Sequence, residues 1–269
     1  MDATIVIPVH NQMHFTRQCL ASLNAAGYPD AMIVVVNNAS TDGTAEFLAA
    51  RPAVRVISNS ENRACAAAWN QGFQASPAKW TVFLNNDVVV APGWLENLIA
   101  FAEKQGVAVA SPAMVEGELD YEWNAFAREF TARMSSVVRR GTAYGACFMV
   151  VRDVFERIGG FDENFTKGGN EDDDFFWRTR RAGFKLAISG VAIIHHFGGT
   201  TQKALIAERG RTRAETIGYF RAKWKIGWLQ RRWLQVRRKV VNAWWCWSER
   251  LRYGHTLREH RDDGKLFYR

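Results

Sequence analysis

Two short clusters in this chain carry residue types that do chemistry. In FLNNDVVVAPGW, residues 83–94, Asn85, Asn86 and Asp87 close a hydrophobic run just before a Pro-Gly turn. Asn and Asp often end strands as solvated turns, because they bond their own backbone. The sharper reading is that the Asp87 carboxylate holds a divalent cation against a phosphate-bearing ligand, and this stretch alone leaves both open. In KGGNEDDDFFWRTRRAG, residues 167–183, four acids (Glu171, Asp172, Asp173, Asp174) stand in a row before a helical pattern. Acids at a helix start suit the macrodipole, which accounts for some of them. Crowded like charges also raise one another's pKa, and an acid poised in that way suits proton abstraction.

The elements that must position these groups are legible as hydrophobic runs. TIVIPV (residues 4–9), MIVVVN (32–37), VRVISN (54–59) and WTVFLN (80–85) are β-branched or aromatic and mostly too continuous for half-exposed strands, so they should be covered on both faces. Segments 15–26, 44–51 and 64–75 between them have helical spacing. Strand, helix, strand order predicts right-handed crossovers and an α/β fold with a mainly parallel sheet flanked by helices. Ligands of such sheets bind beyond the carboxyl ends of the strands. Those ends read PVHN, NNASTDGT, NSENRACAAAWNQG and NND, all polar and all predicted to face one crevice. Each has a structural reading too: Ser40 and Asp42 can cap a helix near Gly43, and Asn62 the next one. Neither a GxGxxG fingerprint nor a Walker lysine follows any strand, so a bound nucleotide would rely on side chains, backbone amides and a metal.

At 269 residues, the chain is long enough for one large domain, or one domain with an appendage. No apolar stretch approaches the ~20 residues that span a bilayer. The N-terminus lacks the basic head and apolar core of a secretion signal, and the four Cys are scattered without a CxxC, which together predict a reducing, cytoplasmic compartment. Charge is unevenly distributed. Residues 201–269 hold 18 Lys/Arg against 6 Asp/Glu, leaving 17 against 21 for residues 1–200. Six of the eleven Trp also lie after residue 200. The expected division is a slightly acidic body, 1–200, and a basic, Trp-rich helical extension, 201–269.

The ordered pieces IPVHN, VVNNASTDGT, NRACAAAWNQG, LNNDVVV, GGFDENF, EDDDFFWR and HHFGGT, between about residues 4 and 200, resemble the family 2 glycosyltransferases. The resemblance implies a GT-A (Rossmann-like) fold and an inverting, metal-dependent transfer from a nucleoside diphosphate sugar to an acceptor hydroxyl. By position, Pro8, Val9 and Asn11 would border the nucleoside, with the loop holding Asn37, Ser40 and Asp42. The family usually has Asp where Asn37 stands, which leaves the base open. Asn62, Arg63 and Asn70 fall where the donor's sugar and phosphates approach, and Asn86 stands within the DxD-like NND. Asp87 would bind Mg²⁺ or Mn²⁺, hard ions that prefer oxygen. His195 would be a second metal ligand, with His196 as the alternative; a His beside apolar residues is otherwise usually a packed core side chain. Asp172 would be the general base, with Glu171 beside it, and Asp174 would pair with Arg178 one turn on. Gly145, Asp162 and Glu163 would shape the acceptor side, although Asp162 can simply hold a turn. Residues 115–140 contain none of the motifs quoted above and would carry acceptor choice.

In the tail, Leu229, Trp233, Val236, Val240, Trp244, Trp247 and Leu251 recur at steps of three and four. That spacing defines one helical face, with Arg231, Arg232, Arg238 and Lys239 mostly off it. A basic amphipathic helix fits docking on its own body or a twin subunit, peripheral attachment to the inner face of an anionic membrane, or a polyanion such as nucleic acid. The leading expectation is sugar transfer to a glycan or lipid-linked acceptor. Nucleic-acid glycosylation and a noncatalytic nucleotide-sugar or glycan-binding module are the alternatives.

Overall fold

A computed structural model describes residues 1–166, 168–198 and 213–268. Lys167, the Gly199-Thr200 end of the HHFGGT motif, residues 201–212 of the tail and Arg269 lie outside the described residues.

The first half follows the alternation of its hydrophobic runs. Strands β1 (Ala3–Val9), β2 (Ile33–Asn38), β3 (Arg55–Asn59) and β4 (Trp80–Leu84) alternate with helices α1 (Met13–Ala25), α2 (Thr44–Ala49) and α3 (Ala64–Gln74). They lie in the parallel order β4-β1-β2-β3. Period-two alternation divides β1 between two cores. Ile5 and Ile7 join Leu20 and Leu23 of α1 on one face, while Val6 joins Trp69 of α3 on the other. Full burial of each such side chain contributes roughly 1.5–3 kcal/mol.

Past β4 the sheet is mixed rather than mainly parallel. After β5 (Val88–Val90) and α4 (Trp94–Gln105), β6 (Val109–Gly117) pairs with β8 (Cys147–Val151), which runs antiparallel to both β6 and β4. Between them come α5 (Trp123–Met134) and β7 (Val138–Arg140); α6 (Arg152–Ile158), α7 (Glu171–Arg181) and the long β9 (Leu186–His196) follow. Strand β9 pairs with β5, β6 and β7, curling the sheet around the cleft.

The tail departs from the expected all-helical extension. Helices α8 (Arg213–Lys223) and α9 (Trp228–Tyr253) are followed by strands β10 (Arg258–Asp262) and β11 (Lys265–Tyr268). Strand β10 adds to the body's own sheet, parallel to β6, with Arg258 opposite Met114 and Arg261 opposite Gly117. The local cause is a two-residue hairpin turn, in which Asp263 and Gly264 both take positive φ, 48° and 69°. Asp-Gly is the preferred dipeptide for such a turn. Gly117, at φ 110°, is required at the join, because a Cβ there would overlap the Arg261 carbonyl.

Candidate active site

A cleft of about 1100 Å³ opens beyond the carboxyl ends of β1, β2 and β4. Of the residues singled out from sequence, Pro8, Val9, Asn62, Asn85, Asn86, Asp87, Gly145, Glu171, Asp172, Asp173 and His196 line it.

Asp87, 3% exposed, follows β4 at the mouth of β5. Its Oδ1 lies 3.2 Å from Nε2 of His196. The β9 register sets this meeting, because His196 stands opposite Val88 on one side and Glu116 on the other. His195 is the correction. One residue earlier on a strand, its side chain must point to the opposite face, where its Nε2 donates to the Gly117 carbonyl at 3.1 Å and its Nδ1 accepts the Tyr121 hydroxyl at 2.9 Å. Rings of Trp123 and Phe197 close around it. Burial pushes the His195 imidazole down to about 4, so it is a neutral packing residue. Burial also works against charge on His196, but the carboxylates of Asp87 and Glu116, 3.2 and 3.6 Å from its two ring nitrogens, outweigh it and hold that ring up at about 9.

Asp87 and His196 thus place a carboxylate oxygen and an imidazole nitrogen side by side in the cleft, where a bound ion would displace the imidazole proton. Among the described residues no group of three or more His, Cys, Asp or Glu could hold an ion unaided. An ion there would complete its shell with ligand oxygens and water, the usual habit of Mg²⁺ at phosphate sites, so the donor set fits.

On the other wall, the first turn of α7 sorts its four acids by environment. Glu171 is buried, and burial followed by the charge of Asp172 holds its carboxyl well above the usual range. Asp172 opens on the cleft and accepts the Asp173 N–H at 2.9 Å. Gly145 faces it so closely that a Cβ would overlap the Asp172 carboxylate. Asp174 is fully buried and structural: Oδ2 takes Arg178 Nε at 2.8 Å, and Oδ1 takes Lys223 Nζ at 2.8 Å and Trp224 Nε1 at 2.9 Å.

Several candidates brace the cleft instead of lining it. The Asn37 Oδ1 accepts the Ser40 N–H, Ser40 Oγ accepts the Asn11 N–H, and Asn11 Oδ1 accepts the Thr41 N–H. Asp42 takes the Met13 N–H and the Thr44 hydroxyl. Burial works against its charge, but these donors hold it below the usual range. Asn70 bonds both backbone groups of Phe161, and its amide and Arg63 both reach Glu163. Asp162 pins the tail, accepting Lys223 Nζ at 2.7 Å and the Tyr219 hydroxyl at 2.9 Å. Burial raises the Asp162 carboxyl, yet those donors bring it down to about 2.

Glu116, Arg258 and His260 are cleft residues that the sequence reading missed. Arg258 forks onto Glu116, Nε to Oε2 at 3.0 Å and Nη2 to Oε1 at 3.2 Å, beside His196. Glu116 ends the run SPAMVEG, the same grammar of apolar strand then polar group that marked NND. The signal for Arg258 and His260 was the Asp-Gly turn that makes β10 a strand.

Comparison with known proteins identifies the family and the fold. The family model "Glycosyl transferase family 2" matches residues 4–159, and "N-terminal domain of galactosyltransferase" matches 130–199. A pre-mycofactocin glycosyltransferase of Mycobacterium tuberculosis is 29% identical over 219 residues, covering 77% of this chain and 45% of that protein. The chain therefore spans about half the length of the curated relatives that it first matches. The crystal structure of GalNAc-T7 with UDP, GalNAc and Mn²⁺ superposes with a TM-score of 0.59 at 16% identity, over 73% of this chain and 44% of that one. The mannosyltransferase PcManGT from Pyrobaculum calidifontis, in complex with GDP-Man and Mn²⁺, gives 0.54 at 19% identity, over 72% and 56%. These likenesses show a GT-A glycosyltransferase fold, and with a family model spanning more than half its length, the chain belongs to glycosyl transferase family 2.

Proposed function

We propose that this chain moves a sugar from a nucleoside diphosphate donor to an acceptor hydroxyl with inversion, in the building of a glycan or glycolipid. The observation that carries the reading is the shared cleft, with Asp172 on one wall and the Asp87–His196 pair on another. Asp172 takes the proton of the attacking hydroxyl at a carboxylate that Gly145 leaves room for. Pro8 and Val9 border the nucleoside end, and Asn62 the donor's sugar and phosphates. The Asn11, Asn37, Ser40 and Asp42 network holds the two loops there in place and reaches the donor only through them. Asp87 and His196 would hold Mn²⁺ or Mg²⁺, which when bound would stabilise negative charge on the departing diphosphate. The Glu116–Arg258 pair fixes the His196 side of the site and, with His260, faces the acceptor space. In this scheme the catalytic unit comprises residues 1–198 together with β10.

A panel of uridine, guanosine and thymidine diphosphate sugars, with and without Mn²⁺, tests the class by thermal shift and slow donor hydrolysis. At least one donor is expected to stabilise the protein only with metal, and Asp87→Ala is expected to abolish that shift while folding normally. Metal-independent stabilisation by every donor, or a full shift in Asp87→Ala, removes Asp87 from the metal site.

A further inference from the structure

Helix α9 turns the expected docking arrangement around. A stripe meant to pack on the body would be buried, yet Trp233, Val236, Val240, Trp244, Trp247 and Leu251 are 59–70% exposed. What faces the body is the opposite side of the helix. Glu249, 5% exposed, receives Arg139 of β7 through Nε at 2.8 Å and Nη2 at 2.7 Å, and also accepts the Leu257 N–H. Trp245, one turn before it, lies under the Arg139 guanidinium. At 3.6 residues per turn, Trp245 and Glu249 sit across the helix from the six apolar positions.

Charge identifies what the stripe fits. The 26-residue helix carries seven Lys/Arg and one acid, Glu249, whose carboxylate is already taken by Arg139. Arg232, Lys239 and Arg250 border the stripe on one side and Arg237, over the Trp233 ring, on the other; all are exposed. A second copy on this face would bring a second set of cations with no free acid to meet them. Anionic headgroups would meet the four that border the stripe, and Trp rings are at home in the interfacial layer. No described helix is long and apolar enough to cross a membrane, so α9, about 39 Å long at 1.5 Å per residue, can only lie flat on one.

We propose that α9 is an interfacial anchor, which lies lengthwise on the anionic surface of a lipid bilayer with its Trp stripe in the headgroup layer and its Arg and Lys rims on the lipid phosphates. The proposal stands apart from the transfer reaction, since none of these residues lines the cleft.

Co-sedimentation of the full chain with vesicles tests it, comparing phosphatidylcholine alone with phosphatidylcholine containing about 30% phosphatidylglycerol. The anionic vesicles are expected to bind at least about tenfold more protein, with a blue shift of Trp emission and weakening in high salt. Trp233→Asp with Trp244→Asp, both pointing to solvent, should lose that binding at an unchanged unfolding midpoint. Arg232→Gln with Lys239→Gln should weaken it without touching the stripe. Equal binding to both vesicle types, or no binding, overturns the proposal. So does light scattering that shows a dimer which the Trp pair converts to monomer, since the stripe would then belong to a second copy.

Discussion

Asp172 and Glu171 are adjacent in sequence, yet Glu171 is buried and Asp172 only half-buried. Asp172→Asn should lower turnover by at least about 10² while leaving metal-dependent donor stabilisation intact, since general-base assistance is worth about 10² to 10⁴. Turnover close to that of the unaltered protein would move the base elsewhere. Burial, followed by the Asp172 charge, holds the Glu171 carboxyl up at about 8, which has a consequence for stability. Its folded pKa lies above the unfolded value, so the folded state binds the extra proton. Stability is therefore greatest below the unfolded pKa and declines as pH rises from there through the folded value. Glu171→Gln should flatten that decline between about pH 5 and 8, read from unfolding midpoints. An identical slope in the variant would mean that Glu171 is ionised in the fold.

At the level of elements, α9 is held by the buried Arg139–Glu249 fork. Removing one partner strands the other charge, so Glu249→Ala should cost about 3–5 kcal/mol in chemical denaturation. A loss below about 1 kcal/mol would mean that α9 contributes little to the fold. How far such elements could be read in advance depended on where their signals lie. Strands β1 to β4 and the crevice at their ends were legible because buried parallel strands write themselves as unbroken apolar runs. Strand β10 was not, because REHRD carries no apolar run and its pairing with β6 is more than a hundred residues distant in sequence. His195 and His196 were indistinguishable for another reason: which face a strand residue takes is set by register, and the register of β9 against β5 is a tertiary fact. The same limit hid the inward Glu249. The stripe was visible at its spacing, but spacing cannot say which side of a helix meets the body.

For the whole molecule, the change of sign near residue 200 is a change of composition. The basic tail returns to the sheet, and Arg258 reaches the cleft from it. Gly117→Ala tests that closure, because its Cβ would push the Arg261 backbone away from β6. Faster hydrogen exchange over residues 258–268 and a loss of about 2 kcal/mol or more are expected. Unchanged protection there would mean that β10 does not need the close approach.

Asp174 has one more consequence. It sits two positions past Asp172 on the same helical turn, and it grips both Lys223 and Trp224, the last links before the outer helix begins. Asp172 and the arm share a joint. Were the arm laid on a flat support, the reactive carboxylate would be held at a set height and bearing above it, so that a tethered sugar chain would be met at one angle instead of through free tumbling.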